Sequence, residues 1–319
     1  MKSGGTEYKR RGLVFSALFL LVFLSIVALF ERYPDTENIS VGQLMGRMRT
    51  TGEGIGWSHV PALLAMGIGA GFLGGMLGMG GGVLKIAGML LILKIDIFFA
   101  RAVSLATLFF TTVSASWPYI QRRWTDWSII RPMIIPALIG TGGGVLLGNQ
   151  LRGATLTHVF GFFILFLGLY TLAQVFADPT EHRLKEDFKT PMRAHRHRNS
   201  SRGIGVLHGF LCGLLGISGG VIAMPMQQLL LNVPTRNAIA NTVAVSALCT
   251  GLGSAIVIAC GVSSGAFELT NILFVVLFIG VGAFAGAQLG ARLGEKIHSG
   301  ILRLVFVAIV FVAGLSILL

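Results

Sequence analysis

Two glycine-rich strings are the places in this sequence best equipped to do chemistry. Gly71 to Val83 reads GFLGGMLGMGGGV, and Gly209 to Val221 reads GFLCGLLGISGGV. Glycine tolerates φ > 0 and lets other groups come close to the backbone. Gly80-Gly81-Gly82 in one string and Ser218-Gly219-Gly220 in the other therefore interrupt a helix more strongly than close packing requires. An interrupted helix presents unpaired N–H groups with a partial positive charge, which favours an anion. Lys85 follows three residues after Gly82, between Val83-Leu84 and Ile86-Ala87. A charge inside an apolar segment is costly and marks function by default, unless the side chain snorkels to the interface. Together these features predict a site for one small anion.

Other side chains are candidates for the same site. Ser104, Thr107, Asn241 and Thr242 could donate to an oxyanion, although a buried Ser or Thr also bonds back to its own helix. His208 abuts the second string and is a candidate proton carrier; its alternative is a bond to nearby backbone. No catalytic residue, cofactor or metal is expected, and hence no enzyme. HExxH, a Walker A string and a histidine cluster in the apolar segments are all missing, so ATP is not the direct energy source on this chain. Cys212, Cys249 and Cys260 show no CxxC spacing, and the run Arg193 to Arg198 lacks acidic ligands.

The elements that position these residues are membrane helices. Hydrophobic residues make up 54% of the chain and charged ones 12%, against about 25% charged in a soluble domain. Nine long apolar stretches run between the charges, from Gly12–Phe30 to Ile301–Leu319, and a spanning helix needs about 20 such residues. Gly12–Phe30 is longer than a usual signal-peptide core, with no small-x-small site before Glu31, so it reads as a retained first helix. The net charge of +12 fits basic cytoplasmic loops facing a lipid bilayer, and no nucleic-acid partner is expected.

The body is duplicated. Nine of the thirteen positions in the two strings are identical at an offset of 138 residues. The offset persists at Ala100/Ala238, Ser104/Thr242, Gly144/Gly282 and Gly148/Gly286. Gly144/Gly148 and Gly282/Gly286 read as helix-packing glycines. Four regions result: an N-terminal helix and extracytoplasmic loop (1–57), membrane repeat 1 (58–177), a basic cytoplasmic linker (178–203) and membrane repeat 2 (204–319). With the N-terminus, Arg122, Arg123, Arg131, Arg236 and the linker all inside, 58–94 must enter the membrane and return. The predicted fold is an all-α polytopic membrane protein with two inverted repeats, about seven full crossings and two glycine-broken or re-entrant hairpins. Transporters built this way bind substrate near mid-membrane, where the repeats meet.

Over residues 60–319 the sequence resembles the TauE/SafE family of sulfite and organosulfonate exporters. The resemblance is carried by a GxxGxGGGxxxxP-type motif in both halves. The second copy has Gly216, Ser218, Gly219, Gly220 and Pro225; the first has Gly78 and Gly80 to Gly82, but Ala87 in place of the proline. The resemblance implies a secondary transporter of small sulfur-containing anions in the inner membrane, working in export, with Pro225 part of the binding motif. The alternatives are a passive anion channel and a transporter of another small anion. The substrate, the coupling ion and the oligomeric state are left open.

Overall fold

The computed structural model describes residues 57–77, 80–177, 198–293 and 299–319. The expected first helix and the loop after it, Gly78, and linker residues 178–197 lie outside the described residues. The described chain folds into ten helices and no strand: α1 (Val60–Leu77), α2 (Gly82–Leu91), α3 (Ile97–Gln121), α4 (Trp127–Gln150), α5 (Gly153–Ala177), α6 (Arg198–Leu215), α7 (Gly220–Leu231), α8 (Thr235–Ser263), α9 (Leu269–Leu293) and α10 (Ser299–Leu318). Carboxylates start two of them. Asp96 accepts from Phe98 N at 2.8 Å, and Asp126 from Ser128 N at 2.9 Å, each satisfying an orphan N–H of a first turn. Within α1, α3, α4, α5, α8 and α9 lie six segments long and apolar enough to cross a membrane. The chain is an all-α polytopic membrane protein.

The duplication is visible in the backbone. α1, α2 and α3 begin at residues 60, 82 and 97, and α6, α7 and α8 at 198, 220 and 235, with the same offset of 138 throughout. Each repeat lays one helix along the other. Met133, Ala137 and Thr141 of α4 lie beside Gly205, Gly209 and Gly213 of α6, so these two helices run parallel. Leu64, Ile68 and Phe72 of α1 lie likewise beside Gly282, Gly286 and Gly290 of α9. A Cβ at Gly144 would overlap the Phe210 carbonyl oxygen, and one at Gly286 that of Ile68. These glycines are therefore what lets the backbones touch.

The central pair runs the other way. Leu105, Phe109 and Thr112 of α3 lie beside Gly253, Gly251 and Thr250 of α8, so advancing along one helix means retreating along the other. The Thr112 and Thr250 Oγ1 atoms stand 3.4 Å apart and are equivalent in the two repeats, so the pseudo-two-fold axis passes between them. Equivalent helices that cross antiparallel make the repeats inverted. α5 and α10 show the same relation, with Gly161 against Leu318 and Gly168 against Phe311.

In each repeat the first two helices form a hairpin. Gly81 lies against Ala70 and Gly88 against Met66, so α2 turns back along α1; Gly219 lies against the His208 backbone in the same way. With α1/α2 and α6/α7 as hairpins, α3, α4, α5, α8 and α9 remain as helices long and apolar enough to cross, and α10 contributes a shorter apolar stretch, Leu304–Leu318.

Basic loops collect at one end. The Arg122 and Arg236 guanidinium groups stand 5.1 and 5.6 Å from the Trp124 ring, and Asn237 Nδ2 donates to Trp124 O at 2.8 Å. α6 also starts at this end, because it runs parallel to α4. α1 starts at the other end, where Trp57 stacks edge-on against Phe274 and Phe278 of α9.

Candidate functional site

The two hairpin tips meet. An ideal Cβ on Gly80 would stand 3.4 Å from Ser218 Cβ, and these two positions are themselves equivalent at the offset of 138. Leu108, near the middle of the 25-residue α3, packs against Gly80 and Gly82. The junction therefore lies at about half the depth of a spanning helix. Ser104 Oγ crosses it to donate to Gly216 O at 2.7 Å.

The breaks turn differently. Gly80 and Gly81 have φ of +72° and +69°, whereas the second break puts its positive φ at Gly216 (+72°) and leaves Gly219 at −61°. Only the first break needs glycine at both central positions, because Ser218 stands at the position equivalent to Gly80 and a side chain disfavours φ > 0. A Cβ at Gly81 would overlap the Ala70 carbonyl oxygen, and one at Gly219 that of His208, so these two glycines close their hairpins. Gly82 and Gly220 face the junction. An ideal Cβ on Gly82 would stand 3.3 and 3.4 Å from Ile217 Cα and Ser104 Oγ, and one on Gly220 3.2 and 3.5 Å from the Ser218 and Thr242 hydroxyls.

Polar side chains around the junction divide unequally. On the first hairpin, Lys85 is fully buried. Its Nζ donates to Thr107 Oγ1 at 3.1 Å, its single hydrogen-bond partner among the described residues. Thr107 Oγ1 in turn donates to the carbonyls of Val103 and Ser104. Neither cap residue, Gly81 of α2 nor Gly219 of α7, makes a side-chain cap hydrogen bond; at the start of α7, Val221 N bonds Ser218 O, Ile222 N bonds Gly219 O, and Gly220 N reaches Ser218 Oγ at 3.4 Å. Lys85 stands on the first turn of α2.

Not every predicted residue reaches the junction. Gly80, Gly82, Ser104, Ser218, Gly220 and Thr242 border it, Gly81 and Gly219 turn the chain there, and Lys85 with Thr107 stands one turn behind. Asn241 is engaged elsewhere, accepting from Asp126 N at 2.8 Å and donating to Gln227 Oε1 at 3.1 Å. Pro225 is buried inside α7. His208 is fully buried, its Nε2 3.1 Å from Ser246 Oγ and its Nδ1 without a partner among the described residues.

Sequence reasoning missed Arg101 and Ser246. Arg101 was not among the sequence candidates, yet it is fully buried. It donates through NH1 to Leu214 O at 3.2 Å and through NH2 to Asn149 Oδ1, bringing a cation to the carbonyl ends of α6 and α4. The apolar run around it, IFFARAVSLATLFF, was the available signal. Ser246 is 38 residues from His208, and only the hairpin geometry joins them. Residues 216–220 also spell G-x-S-x-G. Here that string joins two helices rather than a strand and a helix, and Ser218 bonds another serine rather than a base, so it is not a hydrolase elbow.

The electrostatics are one-sided. None of the ten helices contains an Asp or Glu. Arg101 lies within electrostatic reach of Asp96 at the cap of α3, whereas Lys85 has no acidic side chain on any of these helices to pair with, and burying an unpaired charge costs several kcal/mol. The site is suited to receive negative charge.

The family profile described as Sulfite exporter TauE/SafE matches residues 63–317, nearly the whole helical body. The chain belongs to the TauE/SafE family. It is 26% identical over 231 residues to the probable membrane transporter protein MamO of Paramagnetospirillum magneticum, covering 65% of this chain and 36% of that protein. It is 26% identical over 210 residues to the probable membrane transporter protein YunE of Bacillus subtilis, covering 60% of this chain and 76% of that one. A probable membrane transporter protein of Methanocaldococcus jannaschii is 28% identical over 205 residues, covering 62% of this chain and 71% of its own length. This chain thus spans little more than a third of the MamO protein and most of the other two. No solved structure matches. As a TauE/SafE protein with several apolar helices long enough to cross a bilayer, the chain is a membrane protein whose matched relatives are named probable membrane transporters.

Proposed function

We propose that this TauE/SafE protein is a secondary transporter that carries a small sulfur-containing oxyanion, sulfite or a sulfonate, out across the cytoplasmic membrane. The observation that carries the reading is Lys85: fully buried, on the first turn of α2, one turn behind the mid-depth junction of two inverted hairpins. A bound oxyanion would offset the cost of that charge, with the N–H groups of Gly82 and Val83 as further donors. Each hairpin comes from one end of the molecule and stops at the junction, so moving one hairpin at a time would open the site to alternate sides. The N-terminus and linker 178–203 are assigned to the cytoplasmic side, because the basic loops gather where α6 begins.

The test is flux in proteoliposomes with sulfite, thiosulfate, methanesulfonate and sulfate. A carrier of this class gives saturable flux of one or more of them, with exchange of labelled for unlabelled anion. Flux rising linearly with concentration would make the junction a pore, and flux of none of the four would remove the substrate assignment.

A further inference from the structure

We propose that transport is coupled to protons, with His208 carrying one proton for each anion along a chain of hydroxyls that ends at the junction. The inference rests on the reading of the junction as an oxyanion site; because such coupling drives the anion towards the alkaline side, export from an alkaline cytoplasm would run on the anion's own outward gradient. Ser218, whose Cβ faces Gly80 across the junction, lies 3.0 Å by Oγ from Ser246 Oγ. Ser246 Oγ lies 3.1 Å from His208 Nε2. The three side chains come from the second break, α8 and α6, and all are buried. The second repeat alone has this chain: the residues equivalent to Ser218, Ser246 and His208 are Gly80, Leu108 and Ala70.

The hydroxyls give the chain a direction. With a lone pair on Nε2, Ser246 donates to His208, Ser218 donates to Ser246, and Ser218 turns a lone pair to the junction. A proton entering at Ser218 Oγ displaces Ser218's own proton to Ser246, whose proton passes to Nε2. The chain then runs in reverse. His208 donates to Ser246, Ser246 to Ser218, and Ser218 points an O–H into the junction. The first state repels an oxyanion and the second receives it, so proton and anion favour each other's binding, and reciprocally.

Among the described residues, nothing else nearby balances the imidazolium. On α6, Cys212 is one turn away, and α8 contributes Cys249. α7 has no ionisable side chain, and the charged residues of α4 and α8 are the exposed Arg131 and Arg236. Arg101 of α3 meets α6 at Leu214 and adds positive charge. The negative charge that pairs with a protonated His208 is therefore the arriving anion.

The purified full-length protein, reconstituted in proteoliposomes clamped at zero membrane potential, decides this with two probes, methanesulfonate and sulfite. A gradient of one pH unit should accumulate methanesulfonate about tenfold on the alkaline side, the ratio that one proton per monovalent anion sets. Calorimetric titration of each probe in two buffers of different ionisation enthalpy should show about one proton taken up on binding. His208→Gln and Ser246→Ala should abolish both gradient-driven accumulation and proton uptake while still exchanging labelled for unlabelled anion at a measurable rate, which shows that they are folded. If the parent moves either probe without response to the gradient, or if His208→Gln accumulates like the parent, the coupling is refuted and the transport reading survives. If neither probe binds or moves, the transport reading falls and takes the coupling with it.

Discussion

Replacing Lys85 by methionine should move affinity and stability in opposite directions. Met is close to Lys in length and carries no charge, so it fills the space beside Thr107 without leaving a cavity. Thr107 loses one donor but keeps its bonds to Val103 O and Ser104 O at 2.9 and 3.0 Å, so no polar atom is orphaned. The empty protein is thereby relieved of an unpaired buried cation, and its melting temperature should hold or rise. Binding loses a charge-assisted hydrogen bond worth about 1.5–3 kcal/mol, which is about ten- to a hundredfold in Kd. Calorimetric titration of the transported oxyanion, beside a thermal melt of the empty protein, reads both quantities. Lys85→Arg should keep part of the affinity, since the charge survives while the geometry changes. Unchanged affinity in Lys85→Met would refute the anion role. A melting point lowered together with the affinity would make Lys85 a structural residue.

Thr112→Cys with Thr250→Cys, in a background lacking the three native cysteines, should form a disulfide under mild oxidant, because the parent hydroxyls stand 3.4 Å apart; absence of the cross-link would displace the pseudo-two-fold axis. Gly81→Ala and Gly219→Ala should each lower stability by roughly 1–3 kcal/mol in a thermal melt, because each new Cβ meets a carbonyl oxygen of the partner helix. Arg101→Gln should destabilise by about 3 kcal/mol or more, through loss of the cation at the carbonyl ends of α6 and α4, seen as a lowered melting temperature. Ser200→Cys, near the start of α6, should react with an impermeant maleimide in inverted vesicles but not in intact cells, and labelling in intact cells would reverse the assigned topology.

Much of the fold was legible because duplication and hydropathy are linear in sequence. The offset of 138 residues that pairs Ser104 with Thr242 also sets the starts of α6, α7 and α8. Charge asymmetry sufficed to predict inversion, since Arg122, Arg123, Arg131 and Arg236 need a common end. The glycine strings announced the breaks, and Gly144 and Gly282 were readable as packing positions. What stayed hidden depends on rotation about helix axes. Asn241 and Thr242 are adjacent in sequence, yet they point about 100° apart on a helix of 3.6 residues per turn. One faces Gln227 and the Asp126 backbone, and the other faces Gly220. Hydropathy carries no phase in a helix buried on nearly all sides, as α3 is between Ile97 and Leu108. For the same reason Arg101 could not be told from a loop residue, nor Ser246 recognised as the neighbour of His208.

The two repeats share a backbone plan but not its side chains. Lys85, Thr107 and Arg101 have Ala223, Val245 and Ile239 as equivalents, whereas Ser246 and His208 have Leu108 and Ala70. Cations therefore sit on repeat 1 and the hydroxyl chain on repeat 2, with Gly80 of one meeting Ser218 of the other between them. A symmetric pair of hairpins with identical chemistry would offer two equivalent half-sites and no distinction between its two sides. Here an anion at the junction would meet charge from one hairpin and donors from the other. Each hairpin's position then depends on the anion through a different interaction, the amine of Lys85 or a donor that reverses with the state of His208. Differential binding is what lets a ligand shift a two-state equilibrium. Exchanging the two halves of this chemistry, by Ala223→Lys with Lys85→Ala, should therefore not restore the parent's binding, although the scaffold is nearly symmetric. Recovery of the parent's affinity in that double variant, measured by the same titration, would show that the lysine acts only through its charge at the axis and that the division between the hairpins has no functional weight.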